Sequence, residues 1–180
     1  MLHYRLLRSA GFDAAEVVVV GESLKLGMPK NGFIMTRKVD GRDLSELYRA
    51  SNSHQRKHIV IHFATLVGKL HQNGFFGSIR LKDIFSSDAP GTSMQLTLID
   101  REVRNPYPKR VTTQRTLSRL LLNIRRQTRQ GEIFSDREWD LFCRFYCHEV
   151  ATSPPIKSRF LRHEVKQLLQ RLSGRDSSRH

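Results

Sequence analysis

Hydrophobic and polar positions in the first 50 residues predict a short helix followed by two strands. Apolar residues recur at helical spacing in residues 1–10, and Gly11 ends that pattern. Glu16–Gly21 is a β-branched run that stops at a glycine, and Phe33–Thr36 is a second apolar run. About a dozen residues with glycine and proline turn signals separate the two runs. We therefore expect an antiparallel pair of strands near 16–21 and 33–36.

Helical periodicity returns after these strands. Asp43 is a residue type that caps helices, and it precedes a short helical pattern that opens with Leu44. Ser53–Asn73 is the best-defined helix of the chain, and Asn73-Gly74 is a stop signal because both residues tolerate the left-handed conformation. Its apolar face consists of Ile59, Phe63, Leu66, Val67 and Leu70.

The stretch after this helix carries two acidic residues at positions of interest. Residues 77–83 form a polar loop, residues 84–85 are a short apolar pair, and residues 96–100 are a second apolar run that ends on an acid. If the two apolar segments pair as a hairpin, Asp83 and Asp100 lie at its neighbouring ends. Two carboxylates that converge from separate loops suit a hard cation and its phosphate ligand.

The remainder of the chain is predicted to be mainly helical. Pro106 and Pro108 exclude a helix from the basic loop 101–110, whereas residues 117–124 and 161–172 have helical spacing. A capping box at Ser135-Asp136-Arg137-Glu138 starts another helix. The predicted inner face of that helix is Trp139, Phe142, Phe145 and Tyr146.

Cysteine and histidine residues that repeat every four positions are candidate metal ligands. Cys143 and Cys147 lie four residues apart on the aromatic helix, so with His148 they could form a ligand cluster. We prefer the interpretation that the two cysteines are buried or half-buried small residues. His54, His58 and His62 also repeat every four residues, but no carboxylate or cysteine ligand adjoins them, and we interpret them as exposed titratable side chains.

Composition is that of a globular protein with an unusual charge. The 180 residues are enough for one domain with its own core. The net charge is +14, and most of the surplus lies in residues 101–180, with 18 Lys and Arg against 8 Asp and Glu. Such a field attracts polyanions, namely nucleic acid, an anionic membrane surface or a phosphorylated glycolipid. A solvated, arginine-rich helical surface with no dedicated ligand is the alternative.

Location follows from what the sequence does not contain. The two cysteines offer no disulfide framework, and the first residues lack the pattern of a signal peptide. No run approaches the roughly 20 apolar residues of a membrane span. We therefore expect a cytoplasmic protein.

The loop and the second acid resemble the catalytic loop and metal-binding aspartate of the protein-kinase-like fold. That pattern is H-x-D-L-x-x-x-N followed, after a hairpin, by an Asp that holds magnesium. Residues 76–83 (FGSIRLKD) fall on the loop, and Leu98-Ile99-Asp100 falls on the second element. In this form the chain is most similar to the bacterial lipopolysaccharide kinases, the Kdo/heptose kinase family. Ser78 stands where the catalytic aspartate should be, and Asp83 stands where the metal-binding Asn should be.

This resemblance implies an α+β, protein-kinase-like fold with a mostly helical C-lobe. Residues 1–36 would be a remnant of the N-lobe sheet, residues 37–172 the helical C-lobe, and residues 173–180 a disordered basic tail. The sequence shows no Gly-rich loop ahead of the hinge and no strand lysine paired with a helical glutamate. Either the protein is a reduced member of the family or its true start lies upstream.

The resemblance also implies roles for individual residues. Thr36 would guard the back of the adenine pocket, the backbone of Arg37 and Val39 would bond the base, and Asp43 could reach the ribose. A surface linker with a helix cap is the alternative for Asp43.

The remaining implied roles concern the phosphates. Asp83 and Asp100 would be metal ligands, and Arg80 and Lys82 would neutralise the transferring phosphate. Ser78 occupies the catalytic position but cannot act as a base at neutral pH without an activating partner.

The implied function is ATP- and Mg²⁺-dependent phosphoryl transfer to a sugar hydroxyl of a glycolipid core. It would take place at the cytoplasmic face of the inner membrane, where the basic surface would meet the anionic acceptor. Because losing a general base costs about 100- to 10,000-fold in rate, catalysis would be impaired. The alternative is a non-catalytic pseudokinase or a basic module that binds a polyanion or nucleic acid. Against nucleic acid, the sequence shows no helix-turn-helix, zinc or aromatic RNA-binding motif.

Overall fold

The computed structural model describes residues 2–75, 79–87, 93–99 and 134–151. Within these ranges the chain mixes helices with small antiparallel sheets, which is the predicted α+β class. The helices are α1 (Leu2–Ser9), α2 (Leu44–Ala50), α3 (Ser53–Gln72) and α4 (Asp136–Ala151). The strands are β1 (Val17–Lys25), β2 (Met28–Thr36), β3 (Arg42–Asp43), β4 (Ile84–Ser86) and β5 (Thr97–Leu98). The helices predicted around 117–124 and 161–172 and the loop 101–110 lie outside the described residues.

Strands β1 and β2 form the antiparallel pair that the sequence predicts, but the turn between them is much shorter than predicted. The strands run to Lys25 and Met28, so Leu26 and Gly27 alone form the connection. Both residues have positive φ, +54° and +76°. This conformation matches the twist of a two-residue hairpin. The expected dozen-residue turn was wrong because Leu seldom adopts positive φ and gives no turn signal.

The β1–β2 hairpin is apolar yet exposed to solvent. Val18 is 58% exposed, Phe33 54% and Met35 57%, and Leu26 at the turn reaches 91%. None of these side chains belongs to the buried core cluster. The hairpin therefore adds little to the hydrophobic stabilisation of the fold, which comes from burial.

A second small sheet has the antiparallel order β3–β4–β5. An additional segment lies beside β5, where Ala14 makes a parallel bridge with Leu98. One row of cross-strand neighbours, Ala14, Leu98 and Ile84, is buried. The pairing of β4 with β5 confirms the predicted hairpin between residues 84–85 and 96–100.

The main core lies between α3 and α4. Phe63 of α3 packs on Phe142 of α4 with ring centroids 5.5 Å apart, and Phe142 stacks between Trp139 and Tyr146. The predicted inner face of α4 is confirmed for Trp139, Phe142 and Tyr146. Phe145 is partly buried against the same core.

Polar groups inside this core are matched to one another. The Tyr146 hydroxyl lies 2.9 Å from Nδ1 of His71, at the end of α3. Burial, followed by the neighbouring Cys147 and Cys143 thiols, raises the pKa of Tyr146 far above its ordinary value. The hydroxyl therefore stays protonated at physiological pH. Both cysteines are buried and free, as the sequence predicts.

Side-chain caps set the starts of three helices. Asp43 accepts a hydrogen bond from the backbone N–H of Glu46 at 2.9 Å, so the predicted cap of α2 is confirmed. Asn52 and Gln55 form a capping box on α3. The capping box predicted between Ser135 and Glu138 is also present, with the Ser135 N–H donating to Glu138 at 2.8 Å.

A polar contact joins α2 to α3 and α4. The Arg56 guanidinium lies 4.9 Å from the centre of the Tyr48 ring, and its Nε donates to the Tyr48 carbonyl oxygen at 3.1 Å. The Tyr48 hydroxyl bonds Glu138, and burial together with this carboxylate raises the pKa of Tyr48. Burial opposes ionisation of Glu138, but bonds from Ser135 and Tyr48 outweigh it and lower the pKa of Glu138.

Among the described residues, no helix has both the length and the apolar character required to cross a bilayer.

Gly41, which precedes β3, is a direct test of this arrangement. Its φ is +108°, and a Cβ at this position would collide with the carbonyl group of Ser86 in β4. We expect Gly41→Ala to lower the free energy of unfolding by about 2–4 kcal/mol, because backbone strain adds to the collision. Urea denaturation followed by circular dichroism measures this change.

The matched control is Gly11→Ala. Gly11 also has a positive φ, +83°, but a Cβ there would meet nothing within 4 Å. In Gly11→Ala the free energy of unfolding should fall by about 1 kcal/mol, because backbone strain is the only cost there. Equal losses in the two variants would show that the close approach of residue 41 to β4 is absent in solution.

Candidate functional site

The segment that links β2 to β3 is fixed at its first residue. The backbone N–H of Arg37 donates to the carbonyl oxygen of Glu16 at 2.8 Å, and its Nε pairs with the Glu16 carboxylate at 2.7 Å. The backbone N–H of Arg37, a predicted hinge donor, is therefore already bonded within the protein. Thr36 is exposed at the end of β2, and Val39 is half-buried.

Close packing brings the end of this segment onto β4. The positive φ of Gly41 and the absence of a side chain allow its backbone to approach Ser86. The next two residues form β3, in which Arg42 pairs with Ser86 and Asp43 pairs with Phe85. The residues that follow the predicted hinge, Arg42 and Asp43, therefore belong to the same sheet as the loop strands.

Asp43 has a defined structural role in addition to its predicted ligand role. One of its carboxylate oxygens, Oδ1, accepts the cap bond from Glu46. The surface-linker interpretation is correct as far as the cap is concerned. The cap bond involves one oxygen of the carboxylate, Oδ1.

A row of side chains crosses the open face of the second sheet. Asp43, Phe85 and Thr97 are directly paired neighbours on β3, β4 and β5, so their side chains lie on the same face. All three are half-buried, whereas Ile84 and Leu98 on the opposite face are fully buried. Phe85 therefore presents an aromatic surface beside Asp43.

Phe85 is not among the residues that the sequence predicts to be functional. In the structure Ile84, Phe85 and Ser86 are buried, half-buried and buried, and the sequence does not show this alternation because the buried Ser86 is polar. Reading it requires the neighbours of the strand, because a two-residue apolar run does not say which residue faces the core.

Asp83 is buried and already carries a counter-ion. Its Oδ2 accepts from Nε of Arg80 at 2.7 Å and from the backbone N–H of Arg80 at 3.2 Å. The Asp83 side chain is 5% exposed and that of Arg80 is 38% exposed. Arg80 precedes the 3-10 turn Leu81–Asp83 and Asp83 ends it, and Lys82 in the turn is exposed. A cation that binds Asp83 must share its carboxylate with Arg80 or displace Arg80.

Ser78 and Asp100 lie outside the described residues, so the distance between Asp83 and Asp100 does too. The residue before Asp100 is described, and it contacts the loop directly. The backbone N–H of Ile99 donates to the carbonyl oxygen of Asp83 at 2.9 Å. The two acid-bearing segments therefore meet at this hydrogen bond.

The described part of the chain holds no group of three or more His, Cys, Asp or Glu side chains suited to a metal. His54 is exposed and His58 half-buried, with ring centroids 4.7 Å apart. The predicted metal site would need Asp83 together with residues beyond those described.

Comparison with known proteins identifies a fold. No protein-family model matches the sequence, and no curated protein matches it. Among solved structures, the chain is similar to WaaP, determined in complex with acyl carrier protein, at 19% identity and a TM-score of 0.64. The match covers 96% of this chain and 73% of the WaaP chain. The chain therefore shares its α+β fold with WaaP.

The pairing of Arg80 with Asp83 predicts strong energetic coupling. We expect Arg80→Met and Asp83→Asn each to destabilise the protein, and the double variant to lose about 1–2 kcal/mol less than the sum. The reason is that Arg80→Met leaves the Asp83 carboxylate, which is 5% exposed, without its partner, whereas the charge is absent in the double variant. Urea unfolding of the four proteins in the cycle measures the coupling energy.

The matched control is the ion pair of Arg37 with Glu16. It has the same distance of 2.7 Å between Nε and a carboxylate oxygen, but its side chains are 70% and 49% exposed. Coupling there should be below about 1 kcal/mol. Equal coupling energies in the two cycles would show that Asp83 is not held in a desolvated pair.

Proposed function

We propose that the protein is a lipopolysaccharide-kinase-like phosphotransferase that binds ATP with Mg²⁺ and acts on a sugar hydroxyl of an anionic glycolipid. One observation carries the proposal: Asp43 of β3 pairs with Phe85 of β4, the strand that directly follows Asp83. The fold supports it, since WaaP, with which the fold is shared, is a lipopolysaccharide core heptose kinase.

The nucleotide would bind along the open face of this sheet. The half-buried ring of Phe85 is an apolar surface for the base, and the Arg37 carbonyl with the backbone of Val39 would bond its edge. Asp43 is the direct neighbour of Phe85 and would reach the ribose. Base stacking on an aromatic side chain needs no sequence-specific partner, because every base has a π-face.

The phosphates would extend toward Asp83. A buried carboxylate is a suitable ligand for a hard cation, and Asp100 follows Ile99, which is bonded to Asp83. Mg²⁺, when bound, would neutralise charge on the β- and γ-phosphates. Displacement of Arg80 from Asp83 would release a guanidinium that can pair with phosphate, and Lys82 is exposed in the same turn.

Turnover would be slow in this chain. Phosphoryl transfer relies on positioning and electrostatics, but an acceptor hydroxyl is usually oriented by a carboxylate. Ser78 at that position lacks the charge. The net charge of +14 favours an anionic acceptor, which we place at the inner face of the inner membrane.

Calorimetric titration with ATP, with and without Mg²⁺, tests nucleotide binding. We expect Mg²⁺-dependent binding, and we expect Phe85→Ala to weaken it by about tenfold through loss of stacking. The control is Phe145→Ala, which removes another half-buried ring, on α4, and should leave ATP affinity unchanged. Absence of Mg²⁺-dependent ATP binding in the unmodified chain would sink the proposal.

The variant Ser78→Asp tests catalysis. Restoring a carboxylate at this position should raise the rate of phosphate transfer to a lipopolysaccharide-core acceptor by about 100- to 10,000-fold. A radioactive transfer assay with purified core glycolipid measures it, and Ser87→Asp serves as the control for added charge.

A non-catalytic pseudokinase is the second candidate. It is favoured by Ser78 and by the ion pair that already satisfies Asp83. ATP binding without any turnover in Ser78→Asp would select it over the kinase. Tight, steeply salt-dependent binding to RNA or duplex DNA, with no ATP binding, would instead indicate a basic polyanion-binding module.

A further inference from the structure

We infer that Tyr4 is a positioning residue for the metal-binding segment, a role that rests on the proposed function. Tyr4 lies on α1, far in sequence from the kinase-type loop. Its hydroxyl donates a hydrogen bond to the carbonyl oxygen of Ile99 at 2.8 Å, across 95 positions of sequence. The phenol therefore bonds the residue that connects the two acid-bearing segments.

The bond acts on both predicted metal ligands through one residue. The Ile99 carbonyl belongs to the peptide group whose nitrogen is that of Asp100, so Tyr4 bonds the chain where it enters Asp100. The other side of Ile99 is its N–H, which donates to the carbonyl oxygen of Asp83 at 2.9 Å. Tyr4, Ile99 and Asp83 thus form a continuous series of hydrogen bonds from α1 to the loop.

A separate set of bonds holds β5 in place without Tyr4. Oδ2 of Asp13 accepts from Oγ1 of Thr97 at 2.6 Å and from Nε2 of Gln95 at 3.2 Å. The Leu98 N–H donates to the Asp13 carbonyl oxygen at 3.0 Å, and the Ala15 N–H donates to the Leu98 carbonyl oxygen at 2.8 Å. Loss of the Tyr4 hydroxyl would therefore release the Ile99 carbonyl and leave the strand paired.

The packing of α1 is also independent of that hydroxyl. Leu7 is fully buried, and the His3 ring lies 5.7 Å from the ring of Phe75. A phenylalanine at position 4 would keep the aromatic ring and remove the donor alone. The hydroxyl therefore acts on the orientation of a peptide group, not on the formation of the fold.

Orientation matters here because metal ligands tolerate little displacement. Functional groups must be held within about 0.5 Å of their productive positions by supporting contacts. Mutation of residues that orient metal ligands typically costs about 10- to 100-fold in metal affinity. Tyr4 has the position of such a supporting residue.

The test compares Tyr4→Phe with the unmodified full chain in ATP titrations at several Mg²⁺ concentrations. We expect the apparent Mg²⁺ affinity in the presence of ATP to fall by about 10-fold, while ATP affinity without Mg²⁺ stays the same. Tyr48→Phe is the control, since it removes a hydroxyl bonded to Glu138 and should leave both affinities unchanged. Amide hydrogen exchange should increase at residue 99 and its neighbours in Tyr4→Phe, but not in Tyr48→Phe.

Three results would overturn the inference. Equal Mg²⁺ dependence in Tyr4→Phe and the unmodified chain would refute positioning and leave the proposed function standing. A parallel loss of ATP affinity with and without Mg²⁺ would show a general structural role instead. If the unmodified chain shows no Mg²⁺-dependent ATP binding, the proposed function fails and the inference falls with it, whatever the exchange data show.

Discussion

The architecture around the candidate site depends on residues 97–99, which form backbone hydrogen bonds to a neighbouring chain segment on each side. On one side they bond the segment Asp13–Ala15, and on the other they bond Asp83 and β4. This short strand is enclosed by chain from the N-terminal region and from the loop. Its buried row, Ala14, Leu98 and Ile84, places the sheet on the core.

The helical core gives this sheet a rigid support. Helix α3 ends at Gln72, just before the loop, and its last turn is tied to α4 by the contact of His71 with Tyr146. The side-chain amide of Gln72 also bonds the carbonyl oxygen of Glu149. The start of the loop is therefore held against α4.

Local signals made much of this fold predictable. Helices α2, α3 and α4 start at side-chain caps, and their apolar faces follow helical spacing, so both features can be read from a few adjacent residues. The hairpin turn was predicted wrongly because its conformation depends on Leu26 at positive φ, which no local propensity indicates. Strand pairing at β1–β2 and β4–β5 followed from the apolar runs themselves.

The site was predictable only in part, because its remaining contacts are long-range. The order of the predicted hinge, helix, loop and acid can be read directly from the sequence. The neighbour relation of Asp43 with Phe85 and the bond from Tyr4 to Ile99 join residues 42 and 95 positions apart, and no spacing rule links them. The ion pair of Arg80 with Asp83 is local, but the sequence does not say whether Arg80 bonds the carboxylate or a ligand phosphate.

That ion pair sets the main energetic question for function. The Asp83 carboxylate is 5% exposed and already bonded to the Arg80 guanidinium. It will bind Mg²⁺ only if the metal and the phosphates replace the electrostatic stabilisation that Arg80 provides. In a kinase, a phosphate of the bound nucleotide would pair with Arg80, and the metal would bind Asp83. In a pseudokinase, the pair would persist.

A crystal structure with Mg²⁺ and a non-hydrolysable ATP analogue tests this account most directly. We expect the base on the Phe85 ring, Mg²⁺ at about 2.0–2.1 Å from an Asp83 carboxylate oxygen, and the Arg80 guanidinium bonded to a phosphate instead of to Asp83. An analogue bound away from the second sheet, with Arg80 still paired to Asp83 and no metal beside it, would contradict it.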